Sequence, residues 1–120
     1  MFTIRKSFEF SASHQLDGLP TIHPCSRLHG HNYKVEIVLK AKELDEVGFV
    51  KDYRLLDEIK AFIDTTLDHR HLNDVFQFNP TAENIAKHLY IFIKLRFTQL
   101  YAVTVKETEK TSATYEPDRS

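Results

Sequence analysis

Residues 2–10, Phe-Thr-Ile-Arg-Lys-Ser-Phe-Glu-Phe, alternate apolar and polar side chains, so that Phe2, Ile4, Phe8 and Phe10 share one face and only Lys6 breaks the pattern. A period of two predicts a half-buried strand. A loop rich in turn formers follows (Asp17, Gly18, Pro20, Pro24), and the alternation then resumes over Tyr33–Lys40 with the odd positions apolar, which predicts a second strand. Between Asp52 and Leu67 the period changes. Leu55, Leu56, Ile59, Phe62, Ile63 and Leu67 recur at helical spacing behind Asp52, a residue suited to an N-cap. Asn79-Pro80-Thr81-Ala82-Glu83 opens a second helix carrying Ile85, Leu89, Phe92, Ile93 and Phe97. Alternation returns over Tyr101–Thr108, and Ala113-Thr114-Tyr115 is long enough for a short last strand.

The expected order is therefore ββααββ. Strands at the two ends with helices grouped between them predict an α+β fold, a four-stranded antiparallel sheet with both helices on one face. Such a sheet leaves edges to be managed, and joining subunits edge to edge into a barrel is one way to do it. With 120 residues, of which 42% are hydrophobic and 28% charged, one domain spanning residues 1–120 is the expectation. The formal charge is -1 and there is no long run of like charges, so no electrostatic footprint for nucleic acid or an anionic membrane is visible. No apolar stretch is long enough to span a bilayer, and the N-terminal residues lack the apolar core of a signal peptide. A cytoplasmic location is expected. The single cysteine, Cys25, has no partner for an internal disulfide.

Seven histidines are many for this length, and strand parity singles out three. If the first strand continues past Phe10, His14 falls on the face of Phe8 and Phe10. If the second begins early, His29 and His31 fall on the face of Tyr33, Val35 and Ile37. Gly30 between them permits close backbone approach. Three neutral imidazoles suit zinc at about 2.1 Å each and leave a fourth tetrahedral position open, as in catalytic sites. A closed site would need a fourth ligand, for which Cys25 is the candidate. His23, in the loop, and His88, on the polar side of the second helix, are expected to be solvated.

Cys25 stands four residues before His29 in Cys-Ser-Arg-Leu-His-Gly-His. It is either a small buried apolar residue or a thiol lowered from its ordinary value of about 8.5 by a nearby metal. In Leu67-Asp68-His69 the carboxylate could orient the imidazole for proton transfer, or the two could be neighbours along the chain only. Glu107 shares parity with Val103 and Val105, so its carboxylate either finds donors on the buried face or escapes to solvent. Thr81 reads first as a helix cap.

Taken in order, Phe10-Ser11-Ala12-Ser13-His14, Cys25-Ser26-Arg27-Leu28-His29-Gly30-His31-Asn32-Tyr33, Leu67-Asp68-His69, Asn79-Pro80-Thr81-Ala82-Glu83-Asn84 and Val105-Lys106-Glu107-Thr108 resemble the 6-pyruvoyltetrahydropterin / 6-carboxytetrahydropterin synthase family over nearly the whole chain. The resemblance implies the tunnelling fold, in which trimers close a barrel and two trimers stack into a homohexamer with sites between subunits. It implies zinc on His14, His29 and His31. It also implies proton transfer by Cys25, Asp68 and His69, with the Asp-His pair contributed by a neighbouring subunit, and pterin anchoring by Glu107 with Thr81 nearby. The short gap between Cys25 and His-Gly-His resembles the bacterial carboxy-forming branch of queuosine synthesis. That branch converts 7,8-dihydroneopterin triphosphate to 6-carboxy-5,6,7,8-tetrahydropterin, acetaldehyde and triphosphate; the pyruvoyl-forming synthase is the alternative, and a non-catalytic zinc module the more distant one. Arg70 and His71 are less typical of the family's Asp-His segment.

Overall fold

In the computed structural model, which describes residues 1–119, alternation carries further than its apolar residues alone suggest. Strand β1 runs Phe2–His14 and β2 runs His29–Ala41. They pair antiparallel in unbroken register from Phe2↔Ala41 to His14↔His29. Ser11 and Ser13 point to the polar face while Ala12 and His14 continue the buried one, so the pleat is maintained even where hydrophobicity fades. Lys6 does not disrupt the inward face. Its Nζ donates to the Tyr53 carbonyl at 3.0 Å and to Asp57 Oδ1 at 2.9 Å, which takes the ammonium to the start of the first helix while its stem stays on the sheet.

Helix α1 is Asp57–Thr66. Asp52 caps the 3-10 turn Tyr53–Leu56 that precedes it, with its carboxylate accepting from the Arg54 N–H. Strand β3 (Arg70–His71) and the single-turn helix α2 (Leu72–Val75) follow, then α3, Ala82–Arg96, β4, Leu100–Thr108, and β5, Thr111–Tyr115. Thr81 is the α3 N-cap, accepting from the Asn84 N–H at 3.2 Å.

The sheet order is β3-β1-β2-β4-β5. The expected four-stranded antiparallel sheet and ββααββ order are corrected here: the described residues form five strands, β3 lies parallel to β1, and a third, short helix joins the two anticipated ones. Two residues carry no readable period, and the pairing Ala12↔Arg70 and Ser13↔His71 is made across a separation of 58 residues. Ile59 and Ile63 of α1 and Ile85, Ala86, Leu89 and Ile93 of α3 meet Phe8, Phe10, Val35, Ile37, Leu39, Val103 and Val105 in one core. Complete burial of a side chain such as Ile63 stabilises the fold by about 1.5–3 kcal/mol.

His88 also departs from expectation. It is half-buried on α3, and its ring centroid lies 4.7 Å from that of Phe76, 5.6 Å from Phe78 and 4.6 Å from Phe92. Aromatic neighbours in the α2–α3 connection and on the next turn of α3 cover a position that helical periodicity assigns to the polar side. Burial holds its pKa below the ordinary 6.5. The unfolded chain therefore binds the proton more readily, so the His88 contribution is complete above the ordinary value and is lost as pH falls through and below it. Acidification from about pH 7.5 to about pH 5.5 is expected to lower the melting temperature of His88→Leu less than that of the wild type. Equal losses in thermal scans would contradict this assignment.

Candidate metal centre and active site

The β1–β2 register places His14 opposite His29 and Ala12 opposite His31, so the three imidazoles gather at one end of the strand pair. Their centroids are 4.4 Å (His14–His29), 5.0 Å (His14–His31) and 5.0 Å (His29–His31) apart. One ring nitrogen from each lies within 4.8 Å of the others. Gly30 makes this closeness possible. A Cβ there would stand 3.3 Å from the Ala12 carbonyl oxygen, a backbone atom fixed by the strand pairing, so a side chain would push β1 and β2 apart between the two β2 histidines.

Hydrogen bonds orient the rings. His14 Nδ1 meets the Pro80 carbonyl at 2.8 Å and His29 Nδ1 meets the Arg27 carbonyl at 2.7 Å. A carbonyl only accepts, so each Nδ1 carries a proton, and in the neutral ring Nε2 is the nitrogen that keeps its lone pair. The Nε2 atoms of His14 and His31 are buried and have no hydrogen-bond partner among the described residues. Leaving such atoms unpaired costs about 1–3 kcal/mol each. His14 is 1% exposed, and burial, the largest influence, keeps its pKa below the ordinary value; burial does the same for His31, against the opposing pull of Glu107. Three clustered imidazoles, two of them oriented by backbone carbonyls from outside, are a donor set that suits a divalent transition metal. The three histidines thus fit zinc.

Glu107 Oε2 lies 3.8 Å from His31 Nε2. Its carboxylate borders a cavity of about 700 Å³ together with Ser11, His31, Asn32, Lys34 and Asp68. A shallower cavity of about 470 Å³ adjoins it across Ser11, Gly30, His31 and Asn32 and reaches His69, Arg70 and His71. Asp68 and His69 do bond to each other: His69 Nδ1 is 2.9 Å from Asp68 Oδ2. The other Asp68 oxygen accepts from the Ser11 N–H at 2.9 Å. That bond is the main cause, and His69 the next, of an Asp68 pKa below the usual carboxylate range. His69 itself has φ 58°, a left-handed conformation that costs a non-glycine residue about 1–2 kcal/mol. The bond from its N–H to the Ser11 carbonyl at 2.6 Å helps hold it there. The imidazole is left 83% exposed, available to a group arriving from outside the chain.

Cys25 and Thr81 do not border the larger cavity. The half-buried thiol sits in the 3-10 turn Pro24–Ser26, where His23, anticipated only as a solvated loop residue, accepts from the Cys25 N–H through Nδ1 at 3.0 Å. The Cys25 carbonyl accepts from the Leu16 N–H at 2.9 Å, tying this turn to the residues just beyond His14. Thr81 caps α3, while the neighbouring Pro80 carbonyl orients His14. Contacts to carbonyls and to the Ser11 peptide could not be read from the sequence, because every residue type offers them. Tyr33 was assigned only to the buried face. Its ring stacks on Phe10 at 4.7 Å, and its hydroxyl is buried with no hydrogen-bond partner among the described residues, with burial and then Glu107 raising its pKa.

The sequence pattern of the family described as 6-pyruvoyl tetrahydropterin synthase matches residues 3–118. The chain belongs to this family. Among similar proteins, the 6-carboxy-5,6,7,8-tetrahydropterin synthase of Rickettsia bellii is 36% identical over 126 residues, covering 87% of this chain and 90% of its own. The protein of the same name from Bacillus subtilis is 30% identical, covering 98% and 87%. The solved structure of Caenorhabditis elegans 6-pyruvoyl tetrahydropterin synthase superposes with a TM-score of 0.85 at 30% identity, covering 98% of this chain and 96% of that one. The α+β fold is therefore that of the tetrahydropterin synthases. No helix among the described residues is long and apolar enough to cross a membrane.

Proposed function

We propose that this chain is a zinc-dependent carbon-carbon lyase that converts 7,8-dihydroneopterin triphosphate and one water to 6-carboxy-5,6,7,8-tetrahydropterin, acetaldehyde and triphosphate, a step of queuosine synthesis. The observation that carries the reading is the cluster of three imidazoles, two of whose buried Nε2 atoms have no hydrogen-bond partner among the described residues. The relatives named 6-carboxy-5,6,7,8-tetrahydropterin synthase, 30–36% identical, support the choice of product, as does the short spacing from Cys25 to His29.

His14, His29 and His31 would hold the zinc, which when bound anchors substrate oxygens and acidifies the neighbouring C–H. Glu107, beside His31, accepts the paired N–H groups of the pterin ring and orients it, with Thr81 close by in sequence to the Pro80 carbonyl that holds His14. Cys25 takes a proton at Sγ. His69, held by Asp68 through Nδ1, presents Nε2 for proton relay. The exposure of His69 suits a role in a site completed by a neighbouring subunit. The two-residue β3 and the five-residue β5 end the sheet as edges, which fits closure of a barrel by trimers and stacking into a hexamer. One cytoplasmic domain spanning residues 1–120 completes the reading.

A second reading, the pyruvoyl-forming synthase, is favoured by the likeness to the Caenorhabditis elegans structure. Product analysis by mass spectrometry separates them. Purified, zinc-quantified protein given 7,8-dihydroneopterin triphosphate is expected to yield acetaldehyde and 6-carboxytetrahydropterin. 6-Pyruvoyltetrahydropterin would select the second reading, and no turnover at full zinc would leave a non-catalytic module.

A further inference from the structure

Residues 68–73 run beside the end of β1 and bond to it at alternate positions. The Ser11 N–H donates to Asp68 Oδ1 at 2.9 Å, and the His69 N–H donates to the Ser11 carbonyl at 2.6 Å. Ser13 Oγ and His71 Nδ1 are 3.0 Å apart. At Gln15, Asn73 takes over both sides of the pairing: its Oδ1 accepts from the Gln15 N–H at 2.9 Å and its Nδ2 donates to the Gln15 carbonyl at 2.8 Å. Two residues further, Asn79 does the same at Asp17, accepting from the N–H at 3.0 Å and donating to the carbonyl at 3.1 Å.

An amide side chain offers one acceptor and a donor in the arrangement of a peptide group, so these two asparagines substitute for a neighbouring strand where β1 has ended. What they hold bears on Cys25. Between the clamped residues, the Leu16 N–H donates to the Cys25 carbonyl, and Gln15 Nε2 donates to the Ser26 carbonyl at 2.8 Å. The turn that carries the thiol therefore hangs on residues 15 and 16, with the backbone gripped on either side of Leu16, at Gln15 from α2 and at Asp17 from the segment before α3.

We infer that Asn73 and Asn79 are positioning residues that act through Gln15–Asp17 to hold the Cys25 turn in place against the histidine cluster. Asn79 also precedes Pro80, whose carbonyl orients His14, so the cleaner probe is Asn73, whose side chain bonds to Gln15 and to none of the three histidines among the described residues. The inference rests on the proton-transfer role proposed for Cys25. A displacement of about 1 Å in a reacting group can cost on the order of 100-fold in rate, so the effect belongs in kcat.

The test uses the full chain loaded with zinc, with Asn73→Leu, which removes both bonds, Asn73→Asp, which keeps only an acceptor, and Cys25→Ala as a comparator. For Asn73→Leu, kcat is expected to fall about 10- to 100-fold with KM and zinc content near wild type, with Asn73→Asp intermediate. Hydrogen exchange should accelerate at the Gln15, Leu16 and Asp17 amides and stay unchanged in β2. Wild-type kcat and exchange in Asn73→Leu, or a loss that appears as released zinc or a raised KM, would overturn the inference. If Asn73→Leu does not fold, fast exchange at these amides in the wild type would overturn it equally. Normal turnover by Cys25→Ala would instead sink the role of the thiol, whatever Asn73 does.

Discussion

Cys25→Ala is expected to lower turnover of 7,8-dihydroneopterin triphosphate by about 10²- to 10⁴-fold, the usual contribution of a positioned proton acceptor, while zinc stoichiometry stays at the wild-type value. The second half of this expectation is the informative one. The turn that carries Cys25 is held by bonds from Leu16 to its carbonyl and from its N–H to His23, and alanine preserves both backbone groups. The orientation of His14 and His29 does not depend on the thiol, because the Pro80 and Arg27 carbonyls hold these two rings. Metal analysis beside single-turnover kinetics decides the matter. Zinc lost with the thiol would mean a closed four-ligand site, and normal turnover with zinc retained would mean that the proton acceptor lies elsewhere.

His14→Gln carries the second large effect, on the metal itself. Removing a group that only orients a ligand already costs about 10- to 100-fold in affinity, so loss of a ligand should weaken zinc binding by more than about 100-fold. His14 is the buried member of the cluster, and glutamine leaves His29 and His31 as two ligands on one strand. Zinc at 100 times its dissociation constant stabilises the wild type by about 2.7 kcal/mol, or roughly 10 °C in melting temperature for a chain of this size. Competition with a chelator and thermal scans with and without zinc measure both quantities. The zinc-dependent rise should vanish in His14→Gln, and its persistence would remove His14 from the ligand set.

Much of the candidate site was legible because strand parity is a local rule. Once β1 and β2 are extended, His14, His29 and His31 must lie on the face of Phe8 and Tyr33, and Gly30 must be small where Ala12 passes. Thr81 as a cap and Glu107 on the inward face of β4 follow from equally short-range patterns. The departures share a different cause. The pairing of β3 with β1 spans dozens of residues and only two positions, and His88 is covered in part by Phe76 and Phe78, which lie outside its own helix.

The chain alone therefore determined the long strands and the two long helices, most of their apolar faces, and which histidines can meet, because side-chain direction repeats with a period the sequence displays. Only the tertiary structure decided which nitrogen of His14 and His29 is free, that Asp68 bonds both His69 and the Ser11 peptide, and that Asn73 and Asn79 stand in for a missing strand at Gln15 and Asp17. Those contacts run between side chains and backbone groups that every residue possesses. Their partners are chosen by packing in three dimensions, and no pattern along the chain records them.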